Sequence, residues 1–375
     1  MQPEEPLITN EVTFSVDDTI KVVDSPAAVQ YIAASNGYIA LEDNKYTIKK
    51  EVDVGEISFK TTGSISSGVD SDVNISVSES DAIKDAIGTG MHVEVTEIEI
   101  DGNVGSNASV VAKKASVGGQ THASATIKAD KLDINVHKGK AYGVNIHVTR
   151  LEHGSIEGDV VDVAQALGGN IKAKEITIEL CASHVKATAS RRIEIKKLQG
   201  SENIFTIDPL LNKGAQTGLS QNKEEIQVLE QDIKELTADV DKYSTLIKEG
   251  TAPFMEIKKR LVHYKKNGVK MPESFVKKYK QFQNTQLKLK ELKETLSVKA
   301  DQLSLQTTRT ASFQDNIFDA RIINRDRWVG YNEIRFKLVD PPMELVYKPH
   351  EGSLDKVFGL VELGDEGYEI QAMNE

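Results

Sequence analysis

A short unit that recurs through the first 208 residues constrains the fold of this chain more than any other feature. The unit is one short strand, a two-residue corner and a second short strand, as in VVAKKASV at 110–117, IKADKLDI at 127–134 and IKAKEITI at 171–178. Weaker copies are IHVTRL at 146–151 and VKA at 185–187, which is followed by IEI at 193–195. The anchors at 110, 127, 146, 171 and 185 are separated by 17, 19, 25 and 14 residues.

Such a unit cannot bury its apolar face alone, so stability must come from stacking of successive coils. Stacked Val, Ile and Ala leave little room for large rings, and only 6% of the residues are aromatic. We therefore predict a mainly β chain with a right-handed parallel β-helix over 46–208. An ordinary β-sandwich is the alternative, and the repeated unit and the lack of regular hairpin turns favour the β-helix.

A helical insert over 219–310 interrupts this strand texture. Apolar residues recur at alternating spacings of three and four, which is the seam of a coiled coil. The predicted seam is Ile226, Leu229, Ile233, Leu236, Val240, Tyr243, Ile247, Gly250, Phe254, Ile257, Leu261 and Tyr264, then Phe275, Tyr279, Phe282, Leu289, Leu292, Leu296 and Leu303. We predict an antiparallel helical hairpin that reverses at Asn267-Gly268 and Pro272.

Each predicted helix holds about 40 residues and extends roughly 60 Å. Pro253 lies inside the first helix and lacks a backbone donor. We therefore expect a kink there, or a restart of the helix capped by Thr251. The sequence leaves open whether a second molecule joins the seam.

The net charge of −11 is the sum of two unlike parts. Residues 219–310 carry a net +5 and the remainder carries −16. Nine basic residues lie in 258–280 against the single acid Glu273: Lys258, Lys259, Arg260, Lys265, Lys266, Lys270, Lys277, Lys278 and Lys280. This basic tip is the candidate partner-binding site, because clustered positive charge attracts an anionic partner. The alternative is that these lysines only solvate the coiled coil.

The two ends of the chain are expected to close the solenoid. Residues 1–45 suggest a small α+β lid, with a short helix over 25–31. Residues 311–347 return to strand texture and are expected to complete or cap the β-helix, and 348–375 is a mixed C-terminal tail. Four aromatic residues of the returning segment are expected to cap the open end, with a ligand-binding patch as the alternative: Trp328, Tyr331, Phe336 and Tyr347.

The order of several short motifs resembles the flagellar assembly protein A (FapA) family. They are TGSI at 62–65, IGTGMHV at 87–93, IEIDGNVG at 98–105, IKA at 171–173, SHVKA at 183–187 and GSEN at 200–203. A coiled-coil hairpin inserted after the array, with strands returning behind it, is similar too, and the resemblance covers about 20–347. It implies a bacterial cytoplasmic protein with a β-helix core, linked to flagellar assembly or placement. It supplies no catalytic residues, although polymerase-like activity has been suspected in the family.

An enzyme of that kind needs paired carboxylates that hold a metal ion near phosphates. The candidates are Asp70 with Asp72, and Asp159 with Asp162. The stretch from Asp70 imitates the start of a calcium loop, but it has Ile75 where that loop needs glycine. A turn capped by Asp and Asn is the commoner explanation, and we predict no metal site.

Other reactive residues fit structural roles better. Six histidines in the array show no shared metal-ligand register and are expected at solvent-facing strand positions: His92, His122, His137, His147, His153 and His184. Cys181 follows a buried-looking strand, so we expect a small core residue. The glycines of GTG at 88–90 and GG at 118–119 lie among strands, which argues against phosphate cradles.

The sequence therefore favours a non-enzymatic scaffold with no cofactor, whose β-helix body and basic-tipped arm engage partners. Protein partners of the flagellar or polar-localisation machinery are implied by the resemblance, and an anionic membrane surface is a further candidate for the tip. Nucleic acid is disfavoured by the acidic body, and self-association through the coiled coil or the β-helix ends is left open. A metal-dependent nucleotide or nucleic-acid enzyme on the β-helix surface and a polymer-forming or membrane-surface module are the alternatives. MQPEEP at the start has no features of a secretory signal, so we expect a cytoplasmic protein.

Overall fold

The computed structural model describes residues 7–9, 15–24, 29–35, 37–81, 83–211, 213–270, 272–364 and 367–373. The chain divides into two compact units. One comprises Met1–Asn212 with Asn316–Glu375, and the other is Lys213–Asp315. About 45% of the chain is strand, which builds a β-solenoid of about 7 turns, and the long insert is helical. The predicted fold class is confirmed.

The N-terminal part is built from strands. β1 (Leu7–Thr9), β2 (Ile20–Asp24) and β3 (Val29–Ala33) form an antiparallel sheet. β4 (Tyr38–Glu42) and β5 (Lys45–Lys49) form a hairpin. The β-helix was predicted to begin at residue 46, but β5 of this hairpin extends to Lys49. The solenoid therefore begins after the hairpin.

The helix predicted over 25–31 is wrong at Val29–Tyr31, which belong to β3. Positions 25–28 lie outside the described residues. Val29 and Tyr31 are buried on one face of β3 and Gln30 lies between them. Such alternation of a β-branched and an aromatic residue favours a strand over a helix. Both side chains belong to a small separate core with Ile20, Ala33 and Ile48.

The solenoid follows, and its strands stack in parallel. Its first strands are β6 (Glu51–Val54), β7 (Ile65–Ser66), β8 (Asn74–Ser78), β9 (Asp85–Ile87), β10 (His92–Glu94), β11 (Glu97–Asp101) and β12 (Asn103–Val104). Most of the later strands are longer: β13 (Ser109–Gln120), β14 (Thr126–His137), β15 (Lys140–Glu152), β16 (Ser155–Glu157), β17 (Val160–Leu167), β18 (Gly169–Cys181), β19 (Val185–Leu198) and β20 (Asn203–Ile207). The exceptions are β16 and β20.

The pairing register corrects two of the predicted repeat anchors. One inward column contains Val110, Ile127, Ala141, Ile156, Ile171, Ala187 and Phe205. Ile146 instead pairs with Leu132 in the second strand of the unit, and Val185 pairs with Gly169. The corrected spacings are 14 to 18 residues, more even than the predicted ones. The small residue Ala141 at this position hid the third copy of the repeat.

The helical insert is longer than predicted. α1 (Lys213–Lys266) has 54 residues and α2 (Glu273–Asp319) has 47, so they extend about 80 and 70 Å. The insert lies within the solenoid part of the sequence. After it, β21 (Arg321–Asn324) resumes the parallel pairing with β19. No helix in the described part of the chain is long and apolar enough to cross a membrane.

The predicted seam of the hairpin is confirmed, because all its members are at least half-buried. The helices pack antiparallel: Asp232 bonds Lys299, and Phe254 stacks on Phe282. The restart of the helix that was the alternative to a kink at Pro253 is wrong, since α1 runs through Pro253. The Thr251 hydroxyl donates to the carbonyl of Ile247 at 2.6 Å, within the helix, and caps nothing.

Antiparallel strands close the C-terminal end of the solenoid. β22 (Asn332–Leu338) still pairs in parallel with β20. β23 (Met343–Tyr347), β24 (Val357–Glu362) and β25 (Tyr368–Met373) then pair antiparallel. Residues 348–375, predicted as a tail, therefore contain two strands, and Phe358, Leu360 and Ile370 join the main core. A closed end removes the pairing edge that an open solenoid would expose.

The aromatic cap is confirmed for three of its four predicted members. Trp328 is fully buried, and its ring centroid lies 6.2 Å from Phe205 and 5.6 Å from Phe358. Phe336 is also fully buried, and the Tyr347 ring lies 5.3 Å from Phe358. Tyr331 differs because its side chain is 49% exposed beside Lys348.

Candidate functional site: the basic tip of the helical hairpin

The basic tip lies where α1 ends, the chain turns and α2 begins. All nine of its basic side chains are exposed: Lys258, Lys259, Arg260, Lys265, Lys266, Lys270, Lys277, Lys278 and Lys280. Arg260 forms an ion pair with Glu256, with Nη2 2.7 Å from Oε1. Among the residues that the structure describes, none of the eight lysines forms an ion pair.

The turn of the tip is locally specified. Gly268 adopts a left-handed backbone with φ of 64°, which lacks a steric cost only for glycine. The amide of Val269 then donates to the carbonyl of Tyr264, and the amide of Asn267 donates to His263. These bonds satisfy the last carbonyls of α1 in the manner of a glycine-terminated helix. The reversal predicted at Asn267-Gly268 is confirmed.

Stacked aromatic rings fix the two helices just behind the tip. The Phe254 ring lies 5.0 Å from that of Tyr279 and 4.2 Å from that of Phe282, both nearly parallel. Gly250 makes room for this stack, since a Cβ there would lie 2.8 Å from the Phe282 ring. The Arg260 guanidinium lies 6.0 Å from the centre of the Phe275 ring. These contacts join the ends of the two helices that carry the basic residues.

Part of the positive charge has a structural role. Lys265 and Lys266 lie in the last turn of α1. Cations there interact favourably with the negative end of the helix dipole. That effect does not extend to Lys277, Lys278 and Lys280, which lie past the first turn of α2, at the end of the helix where the dipole does not stabilise cations. Stabilisation of the helix therefore does not explain the positive charge on α2.

Exposed apolar side chains accompany the lysines, which the sequence analysis missed. Met255 is 50% exposed, Val262 60% and Val269 53%. Their seven-residue spacing is readable in the sequence and places them off the seam. The tip therefore offers an anionic partner both charge and apolar contact.

Three of the four candidate metal carboxylates form ion pairs with lysines. Asp70 pairs with Lys113 at 2.6 Å, Asp72 with Lys50 at 3.2 Å, and Asp159 with Lys174 at 2.8 Å. Asp162 is exposed in β17. Within the described ranges, no group of three or more His, Cys, Asp or Glu residues is placed to hold a metal ion.

His137 contradicts the prediction that the array histidines face solvent. Its side chain is fully buried, with Nδ1 2.9 Å from the Thr121 hydroxyl and Nε2 3.2 Å from the carbonyl of Ser155. Burial lowers the pKa of His137 to about 4, so the ring is neutral at pH 7. The reason is its register, because His137 pairs with the buried Leu151 of the next strand and so lies in an inward column.

The other five histidines are accessible to solvent, as predicted, but only His92 and His147 lie in strands, so the predicted strand positions are wrong for the other three. His92 is half-buried, and the remaining four are exposed: His122, His147, His153 and His184. His153 and His184 occupy left-handed corners with φ of 58° and 63°. They are corner residues of the coils rather than members of a shared ligand set.

Cys181 is a core residue, as predicted. Its side chain is fully buried, and it stacks on Ala166 and Leu198 of the neighbouring strands. Burial raises the pKa of the thiol to about 12. A thiol held protonated in this way is a poor nucleophile.

The glycine pair at 118–119 has a steric role. A Cβ on Gly119 would lie 2.3 Å from the carbonyl oxygen of Gly102 in the adjacent coil. Close approach of two backbones explains this glycine without a bound phosphate.

A cavity of about 630 Å³ on the solenoid is lined by three arginines, each of which already has an ion-pair or hydrogen-bond partner. Arg191 pairs with Glu175 at 3.3 Å, and Arg192 pairs with Glu194. Arg321 donates to the carbonyl of Ala320 at 2.8 Å. The basic tip, whose lysines have no such partners in the described structure, is the stronger candidate site.

No family model, curated protein or solved structure matches this chain.

Proposed function

We propose that this protein is a non-enzymatic scaffold that recruits an anionic partner through the basic tip of its helical hairpin. The observation that carries the proposal is the cluster of eight exposed tip lysines, none of which forms an ion pair in the described structure. Repulsion among them opposes folding of the tip, and an anionic partner would relieve that repulsion.

The shape of each part suits recruitment. A two-helix arm with a continuous seam holds a binding site far from its base, at about 1.5 Å per residue. A concentrated charge of +8 over 258–280 accelerates encounter with an oppositely charged surface. The stacked rings behind the tip join the two helices before any partner binds, so the backbone of the tip needs less ordering on binding.

An acidic protein is the partner class we favour. The sequence resemblance supports a setting in flagellar assembly or placement in the bacterial cytoplasm, with partners from that machinery. Exposed Met255, Val262 and Val269 favour one second candidate, an anionic membrane surface, because such surfaces take up basic and apolar side chains together.

The test is affinity capture from the native cell with the full chain as bait. The tip variant carries Lys258→Glu, Lys259→Glu, Lys277→Glu and Lys278→Glu. Its matched control reverses four exposed lysines elsewhere on α1, namely Lys223, Lys234, Lys242 and Lys248. Specific loss of partners from the tip variant supports the proposal, and equal capture by all three baits rejects it. Binding to anionic vesicles, measured with the same three proteins, separates a lipid from a protein partner.

A further inference from the structure

Four lysines surround one exposed valine on the last turns of α1. Lys258 and Lys266 lie four residues from Val262, and Lys259 and Lys265 lie three residues from it. Residues at these spacings are surface neighbours on a helix. We call the four lysines the lysine quartet. Its members repeat after seven residues, which is about 10.5 Å along the helix axis.

One outward column of the solenoid carries an acid on every second strand. The column consists of Asp53, Ser76, Glu99, Ser116, Asp133, His147, Asp162, Thr177 and Glu194. Neighbouring strands lie about 4.8 Å apart, and like charges directly opposite each other are destabilising. Alternation with Ser, His and Thr spaces the acids about 9.6 Å apart. We call these five acids the acid row.

Most of the acid row is available for an outside partner. Asp53, Glu99, Asp133 and Asp162 are exposed. In the described structure none of these four forms an ion pair, whereas Glu194 pairs with Arg192 and Arg325. The row therefore presents four carboxylates at a regular interval along one flat sheet face.

The same face has a shape that can receive side chains. A groove of about 320 Å³ is lined by Ser76, Glu99 and Ser116 of this column, among others. Val160 is 39% exposed two residues before Asp162, so it lies on the same side of its strand. Val262, at the centre of the lysine quartet, is 60% exposed.

The two surfaces have opposite charge and nearly the same period. A helix laid along the stack, slightly tilted, would place lysines about 10.5 Å apart against acids about 9.6 Å apart. The valine at the centre of the quartet would meet the sheet between the acids. Both surfaces belong to the same sequence, so any solution of this protein presents them in equal amounts.

We propose that the lysine quartet of one molecule binds the acid row of a second copy of this chain. This inference rests on the proposed function, because it names a partner for the same basic tip. The contact joins two different surfaces, so it is heterologous and continues from copy to copy into chains or closes into a ring. It is driven by charge and weakens as salt rises.

A charge-swap mixture tests the contact in full-length protein. The quartet variant is K258E/K259E/K265E/K266E, and the row variant is E99K/D133K/D162K. Their matched controls are K223E/K234E/K242E/K248E and D130K/E157K/E351K, which change as many exposed charges elsewhere. Circular dichroism first establishes that each variant is folded. Sedimentation velocity is then measured over a range of protein concentrations at low and high salt.

We expect the wild type and both controls to associate at low salt, and each swap variant alone to associate roughly tenfold more weakly or not at all. An equimolar mixture of the two swap variants should associate again, because each reversed surface then finds its complement on the other chain. A wild type that stays monomeric at low salt overturns the inference, as does a mixture that fails to associate.

The capture experiment keeps this inference separate from the proposed function. A monomeric wild type whose tip variant still loses captured partners overturns the second-copy contact and leaves the scaffold standing. Self-association that survives in the quartet variant, with unchanged capture by the tip variant, rejects both.

Discussion

Asn222 of α1 and Thr310 of α2 meet across the hairpin, with Asn222 Nδ2 2.6 Å from Thr310 Oγ1. Both side chains are buried, and Asn222 also donates to the carbonyl of Gln306 at 2.9 Å. A polar pair at one level of an apolar seam matches one register better than its alternatives. The Asn222 and Gln306 side-chain oxygens have no partner among the described residues. The pair therefore defines the register at some cost in stability.

Replacing Asn222 with Leu should raise the stability of the hairpin. The change removes a buried oxygen without a described partner, and Thr310 keeps its bond to the carbonyl of Gln306. We expect a gain of about 1 kcal/mol in the free energy of unfolding, measured by urea denaturation. Leu236→Ala, a seam truncation, is the comparison and should destabilise. A loss of stability in Asn222→Leu would mean that the polar pair stabilises the hairpin in addition to defining its register.

His137 should make the stability of the solenoid depend on pH in a defined window. Its pKa is lowered from 6.5 to about 4 by burial. Between pH 6.5 and 4 the unfolded chain takes up a proton that the folded chain does not, so the free energy of unfolding falls as the pH falls. The loss is of the order of 3 kcal/mol, is absent above pH 6.5 and does not grow below pH 4.

His137→Leu should remove this component of the pH dependence. Leucine fits the apolar column beside Leu151, and Thr121 still accepts bonds from the amides of Lys138 and Gly139. Urea denaturation at pH 7 and pH 4.5 measures the difference, with the exposed His147→Gln as the control. A His137→Leu variant with the same pH dependence as wild type would show that the ring is not a buried neutral group.

Cys181 should be unreactive in the folded protein. Its thiol is fully buried and its pKa is raised to about 12, so little thiolate exists at pH 8. We expect a disulfide-exchange reagent such as DTNB to label Cys181 only after unfolding in urea. Rapid labelling of the native protein would place the side chain at an accessible position.

Truncation of the Trp328 side chain should destabilise the C-terminal cap and lower the free energy of unfolding. Trp328→Ala leaves a cavity between Phe205 and Phe358 and removes the bond from Nε1 to the carbonyl of Asp355 at 2.9 Å. A loss of about 3 to 5 kcal/mol is expected for a buried Trp. Phe59→Ala is the control, because Phe59 is 82% exposed and its loss should change stability by less than about 0.5 kcal/mol. Equal effects of the two changes would contradict the cap.

The seam of the hairpin could be predicted from sequence because its signal is local. The spacings from Ile226 to Leu303 define a helix face whatever surrounds them, and Asn267-Gly268 marks the turn. The strand at Val29–Tyr31 was missed because β3 has only five residues. A strand this short does not show enough alternation to distinguish it from the first turn of a helix. The restart of the helix at Pro253 was wrongly expected. Pro253 lies on the exposed side of α1, and the long helix continues through it.

Register, by contrast, is a property of neighbouring strands and cannot be counted along one of them. His137 was placed in solvent because the alternation of buried and exposed residues is interrupted at Asn135 and Val136, within the same strand. The acid row is invisible in the sequence for the same reason, since its members are separated by different numbers of residues. The charge of the tip was predicted from the sequence. The position of Val262 off the seam was readable there too, but it was missed.

Affinity capture with the reversed tip tests the central claim most directly. Quantitative mass spectrometry compares partners retained by the wild type, by the variant at Lys258, Lys259, Lys277 and Lys278, and by the control at Lys223, Lys234, Lys242 and Lys248. We predict that the tip variant loses its main partner by about tenfold or more, while the control retains it. Equal retention of the same partners by all three proteins would contradict a recruiting role for the basic tip.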